Sequence, residues 1–118
     1  MNTLGRHLLL DLKDCDRELL NDVEFLKGAL VTAAEECGAT VLSVNFNTFN
    51  PQGVSGVVII AESHISVHTW PEYGYAAVDI FTCGTTVQPE KAAEVLIEKL
   101  GAGGHSLTEV QRGLTVTV

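Results

Sequence analysis

The chain has 118 residues, which at ~100–200 residues per domain describes one domain, able to bury roughly 65% of its unfolded surface. With 46% hydrophobic and 19% charged residues, the composition excludes a disordered chain, and no apolar run approaches the ~18 residues of a membrane span. A net charge of -8, from 15 acids against 7 bases, argues against a nucleic-acid backbone or an anionic membrane surface as partner.

Cys15, Cys37 and Cys83 form no short-spaced pair and outline no disulfide framework. Asp11 cuts short the apolar stretch that follows His7, so no secretory pattern forms and a cytoplasmic location is expected. A chain this short leaves no room for a cofactor domain beside a substrate domain, so any chemistry must be compact.

In chain order, residues 7–12 form an apolar run suited to a strand. Asp14-Cys15-Asp16 then offers a helix N-cap. Leu19, Val23, Leu26, Leu30, Ala33 and Cys37 recur in steps of four and three, which predicts one continuous helix from Leu19, closed by Gly38. Residues 40–46 alternate as a strand. Asn50-Pro51-Gln52-Gly53 marks a turn. The β-branched run 57–61 predicts a buried strand, and 65–69 and 75–82 predict two more around Trp70-Pro71-Glu72-Tyr73-Gly74. Pro89 at the first helical position opens a second helix whose face is Ala93, Leu96, Ile97 and Leu100. Residues 106–118 read as an edge strand ending in the alternation 114–118.

These elements predict an α+β fold: a two-layer α/β sandwich, mainly antiparallel, with two helices on one face. The other face then wants a partner, for which a homodimer is the expectation.

The chemically versatile side chains crowd into Glu62-Ser63-His64-Ile65-Ser66-Val67-His68-Thr69-Trp70-Pro71-Glu72-Tyr73. On a strand His64, Ser66, His68 and Trp70 share a face. A hairpin about Pro71-Glu72-Tyr73 returns Cys83 toward residues 61–64, which predicts Ser63, His68 and Cys83 in one neighbourhood. Residue types alone leave three readings open. His64, His68 and Cys83 could be hydrogen-bonded or packed structural residues. The same three could ligate a metal, although histidines four apart on a strand are spaced more widely than on a helix. Or Ser63 could be a nucleophile with His68 as base and Asp79 to orient it. A standard hydrolase fits poorly, because no Gly-x-Ser-x-Gly elbow surrounds Ser63 or Ser55. Cys37 completes a helix stripe and reads as core, and Cys15 as inert.

The block from Glu62 through Trp70-Pro71-Glu72-Tyr73-Gly74-Tyr75 to Phe81-Thr82-Cys83-Gly84, with Leu4-Gly5-Arg6-His7 and Pro51-x-Gly53-Val54-Ser55-Gly56-Val57, closely resembles the short bacterial and archaeal S-adenosylmethionine decarboxylase proenzymes. The resemblance implies a single domain, 1–118, that cleaves itself between Glu62 and Ser63 into a β chain (1–62) and an α chain (63–118). Ser63 would attack the Glu62 carbonyl, and elimination would leave a pyruvoyl cofactor at position 63. That group would form a Schiff base with the substrate amine and act as electron sink, the task pyridoxal phosphate performs elsewhere. It further implies His68 as the processing base, Ser55 as a processing residue that holds the cyclic intermediate, and Cys83 as the proton donor to the substrate. Phe49 and Trp70 would stack the adenine, and Glu72 would accept from the ribose hydroxyls. No metal is implied. The implied product donates aminopropyl groups to spermidine synthesis, and the implied assembly is a homodimer with its active sites at the interface.

One stretch departs from the family pattern: residues 45–52 are rich in Asn, which bears on substrate preference. The alternatives are a pyruvoyl-dependent arginine or ornithine decarboxylase on the same fold, and a non-catalytic small-molecule or metal-binding domain. An aromatic clamp from Phe49 and Trp70 favours the adenosyl substrate over a small diamino acid.

Overall fold

A computed structural model describes residues 3–114. Its elements run β1 (Gly5–Lys13), α1 (Arg17–Leu20), α2 (Val23–Glu36), β2 (Val41–Thr48), β3 (Val54–Ile60), β4 (Ser63–Trp70), a 3-10 turn (Pro71–Tyr73), β5 (Tyr75–Cys83), α3 (Pro89–Lys99) and β6 (Gly104–Arg112). The strands form one six-stranded sheet in the order β2-β3-β4-β5-β1-β6, and every neighbouring pair is antiparallel. The predicted α+β sandwich is what forms.

Period-two alternation decides which side chains go where. Leu8, Leu10 and Leu12 of β1, Ile65 and Val67 of β4, and Val78 and Ile80 of β5 are buried, as are Leu26, Leu30 and Ala33 of α2 and Leu96 of α3. Helix α2 lies against β2, β3 and β4, and α3 against β1 and β5. Each fully buried leucine contributes on the order of 1.5–3 kcal/mol. The opposite face carries the intervening residues, and among the described residues no layer covers it. Leu9, Ile59, Trp70 and Val110 point to that side and are exposed.

The single helix expected from Leu19 is two. Asp16 caps α1 through bonds from the Glu18 and Leu19 N–H groups, and Asp22 caps α2 by accepting from Phe25 N–H at 3.0 Å. Two successive side-chain caps stop and restart the backbone. The four-residue step from Leu19 to Val23 straddles that break and so imitates continuity. The break has a use: Asn21 at the C-cap accepts from Gly53 N–H at 2.9 Å, and Phe49 N–H donates to Gly53 O at 2.9 Å. The loop that carries Phe49 is thereby fastened to the helical layer.

Strands β3 and β4 are longer than expected, and only two residues connect them. The hairpin between β4 and β5 turns where expected. There Gly74 takes φ 62°, and a side chain at that position would meet Cys15 O at 3.4 Å. The edge strand β6 ends at Arg112, before the expected alternation. Gly113 breaks it with φ 82°, and residues 115–118 lie outside the described residues.

Candidate active site

The chemically versatile side chains fall into two groups, one at each end of β4; Ser63 itself pairs with the core residue Ile60 and shares a strand face with Ile65, whereas His64 and His68 lie on the open face. The first surrounds Ser63. In the hairpin joining β3 to β4, Ile60 pairs with Ser63, so Ala61 and Glu62 alone make the turn. Ser63 Oγ accepts a hydrogen bond from Cys83 N–H at 3.0 Å, because β5 ends beside the start of β4. His64 lies opposite Phe81, with ring centroids 5.8 Å apart. His7 sits against the other side of Phe81, edge to face at 5.8 Å. Ser63 and Cys83 are both partly buried, sheltered but reachable.

The second group lies at the far end of β4. Ser55 and His68 are directly paired across β3 and β4. Phe49, Gln52, Gly53, Val54, His68, Thr69, Trp70 and Glu72 line one cleft of about 230 Å³. Phe49 is 57% exposed and Trp70 40%, large apolar surfaces presented to solvent. Trp70 is held between Tyr75, at 5.3 Å, and His68, at 6.5 Å. Beneath it, the buried Thr69 hydroxyl accepts from Val54 N–H at 3.0 Å and donates to Leu20 O at 2.7 Å, which fixes the strand that carries both His68 and Trp70.

The structure brings Ser63 to Cys83 as the hairpin arithmetic predicts, but it does not bring His68 to either. His68 pairs with Ala77, not with a residue near Cys83. Five residue steps of ~3.3 Å each separate it from Ser63 along β4, roughly 16 Å. A long hairpin is not a point: only residues equidistant from its turn meet. Asp79 is likewise no partner of His68. It sits within 3.0 Å of His7 Nε2, so no Ser-His-Asp triad forms. Nor are His64, His68 and Cys83 gathered to hold a metal; among the described residues no cluster of three His, Cys, Asp or Glu side chains suits an ion.

Sequence reasoning passed over a second cleft, about 220 Å³, in which Asn45, Asn47 and Ser66 adjoin Ser55 and His68. The alternation of Asn45 and Asn47 on one strand is the signal that could have found it. It also passed over His7, which the alternation of β1 places on the open face opposite Leu8 and Leu10. At the rim, Arg6 is ion-paired to Glu90 and to Glu109, the latter at 2.8 Å, and both carboxyls are held below their usual range by hydrogen bonds from Arg6. Burial and the Asp11 carboxylate, which accepts from the Tyr75 hydroxyl at 2.8 Å, push that phenol up to about 12.

With this geometry in hand, comparisons with known proteins are specific. Residues 6–113 match the family described as S-adenosylmethionine decarboxylase. The chain is 55% identical over 114 residues to an S-adenosylmethionine decarboxylase proenzyme of Thermodesulfovibrio yellowstonii, covering 97% of this chain and 84% of that one. It is 54% identical to that of Clostridium tetani, covering 97% and 90%. The crystal structure of the adenosylmethionine decarboxylase from Aquifex aeolicus superposes with a TM-score of 0.90 at 35% identity, over 98% of this chain and 96% of that one.

Proposed function

Because the chain belongs to the S-adenosylmethionine decarboxylase family, we propose that Ser63 is its cofactor precursor and that two copies of the chain together build each active site. The enzyme is a carboxy-lyase that decarboxylates S-adenosylmethionine to the aminopropyl donor of spermidine synthesis. The three cysteines are free, in keeping with a reducing, cytoplasmic setting.

The observation that carries the reading is the hydrogen bond from Cys83 N–H to Ser63 Oγ, 3.0 Å, at the residue that follows the Ala61-Glu62 turn. It holds the hydroxyl oxygen still beside the Glu62–Ser63 peptide, where attack on the Glu62 carbonyl would divide the chain into 1–62 and 63–118. The donor chemistry fits a pyruvoyl precursor, since a serine at a tight turn supplies both the nucleophile and the β-carbon from which the ester leaves. A pyruvoyl at position 63 supplies a carbonyl that draws off the electrons released when carbon dioxide departs. The Cys83 thiol, on the neighbouring strand end, then returns a proton to the substrate's α-carbon.

Ser55, His68, Phe49, Trp70 and Glu72 belong to the same reaction but not to the same chain's Ser63. General-base work needs contact within about 3.2 Å, or one water, and His68 is roughly 16 Å along the strand from its own Ser63. Packing the open faces of two copies against each other would cover Leu9, Ile59 and Val110 and would set one chain's His68 group opposite its partner's Ser63 group. There Phe49 and Trp70 would stack the adenine, Glu72 would accept from the ribose hydroxyls, and His68 with Ser55 would assist cleavage. An aromatic cleft has no use for arginine or ornithine, which supports the adenosyl substrate.

Carbon dioxide release from S-adenosylmethionine, ornithine and arginine side by side, with Ser63→Ala as control, tests the reading. Release from S-adenosylmethionine alone, abolished together with chain cleavage in Ser63→Ala, is expected. A Ser63→Ala protein that still releases carbon dioxide would overturn it.

A further inference from the structure

Two residues outside glycine adopt a left-handed backbone among the described residues: Asp14, φ 53°, and Glu62, φ 63°. Asp tolerates this conformation because its short side chain bonds locally, whereas Glu has no such allowance. Glu62 is also the residue whose carbonyl the reading above makes the target of Ser63. We infer that Glu62 acts through its backbone as a positioning residue for self-cleavage, its left-handed conformation being strain that is stored in the intact turn and released when the Glu62–Ser63 peptide rearranges. The inference rests on the self-processing reading and deepens it.

Ile60 and Ser63 are paired, so Ala61 and Glu62 make a two-residue hairpin loop. The favoured loops of this length have positive φ at both residues or at the first. Here only the second is positive, a pattern that asks for Gly or Asn there and that splays right-twisted strands. The chain cannot relax it locally, because both flanks are tied. Ala61 N–H donates to Thr40 O at 3.0 Å on one side, and Ser63 Oγ accepts from Cys83 N–H at 3.0 Å on the other. Strained conformations persist where their surroundings over-determine them, and they concentrate at reacting positions.

In the first step a bond forms between Ser63 Oγ and the Glu62 carbonyl carbon, the Glu62–Ser63 C–N bond breaks, and the hydroxyl proton ends on the freed amine. Nothing else is consumed. The chain path now runs through Oγ and Cβ, which lengthens the turn and lets Glu62 return to negative φ. Strain present in the amide and absent from the ester lowers the barrier between them.

The test uses Glu62→Gly and Glu62→Asn, which fit the left-handed position with less strain, and Glu62→Gln, which removes the charge and keeps the strain. Cleavage is timed by mass spectrometry on freshly synthesised full-length chain. Gly should slow it about five- to tenfold and Asn by less, while Gln stays near the wild-type rate. In an uncleavable Ser63→Ala background, Asn and Gly should raise Tm by a few degrees. A merely structural role predicts that a stabilised chain cleaves as well or better, so slower cleavage with a higher Tm is the signature. Gly and Asn cleaving at the wild-type rate, or Gln slowing as much as Gly, would overturn the inference while leaving the self-processing reading intact. A wild-type chain that never cleaves would overturn that reading itself.

Discussion

The separation of Ser63 from His68 predicts complementation between two inactive variants. Ser63→Ala removes the nucleophile and keeps His68; His68→Ala does the reverse. If one chain's His68 serves its own Ser63, no mixture can restore a site, because every chain lacks one of the two. If sites form between chains, a heterodimer has one site with both residues and one with neither. Along β4 the two residues are five steps apart, roughly 16 Å, several times the reach of a proton transfer, which favours the second case. The two variants are co-expressed with different tags, and heterodimers are isolated by sequential affinity steps. They should reach about half the wild-type specific activity, as expected of a two-fold assembly with one intact site. Mass spectrometry should find cleavage only in the His68→Ala chain, which alone retains Ser63. Each variant by itself should stay intact and inactive. Uncleaved heterodimers, or a His68→Ala protein that cleaves normally on its own, would refute the reasoning.

Other consequences follow from the same contacts. Trp70→Ala should raise KM for S-adenosylmethionine by about tenfold or more, since stacking on a base contributes about 1–3 kcal/mol, and should leave chain cleavage in place; an unchanged KM would remove Trp70 from the substrate site. Thr69→Val strands the buried Val54 N–H and Leu20 carbonyl, so urea unfolding should report a loss of about 1–3 kcal/mol. Glu90 and Glu109 are held below the usual carboxyl value of 4.5 by Arg6. Their contribution is therefore present above that value and is lost as pH falls through the lowered ones. Arg6→Met should cost less than about 1 kcal/mol at neutral pH, given the exposure of the pair, and should flatten the loss of stability on the acid side in pH-dependent unfolding.

Much of this was legible in the residues because the fold's grammar is local. Leu8, Leu10 and Leu12 announce a strand with one buried face, Pro71 through Gly74 announce a turn, and Pro89 announces a helix start. What escaped was non-local or compensated. The break at Asn21 and Asp22 hides inside an intact apolar period, since Leu19 and Val23 would also suit a continuous helix. The pairing of Asp79 with His7 depends on β1 entering the sheet beside β5, a neighbour relation that no hairpin count supplies. The place of His68 was lost for a geometric reason: a strand of eight residues is longer than an active site is wide. The family resemblance named Ser63, His68 and Cys83 together, and the register then separates the first and last from the second. That separation is why an uncovered sheet face and the proposed self-cleavage at Ser63 belong to one account.

The central claim, that position 63 becomes the cofactor, meets its most direct test in one mass measurement. The purified enzyme is incubated with S-adenosylmethionine and cyanoborohydride, denatured and weighed. The account predicts two fragments, 1–62 unmodified and 63–118 lacking a free amine and carrying a reduced substrate-derived adduct at its first residue. An intact chain of 118 residues, or an adduct on any other residue, would contradict it.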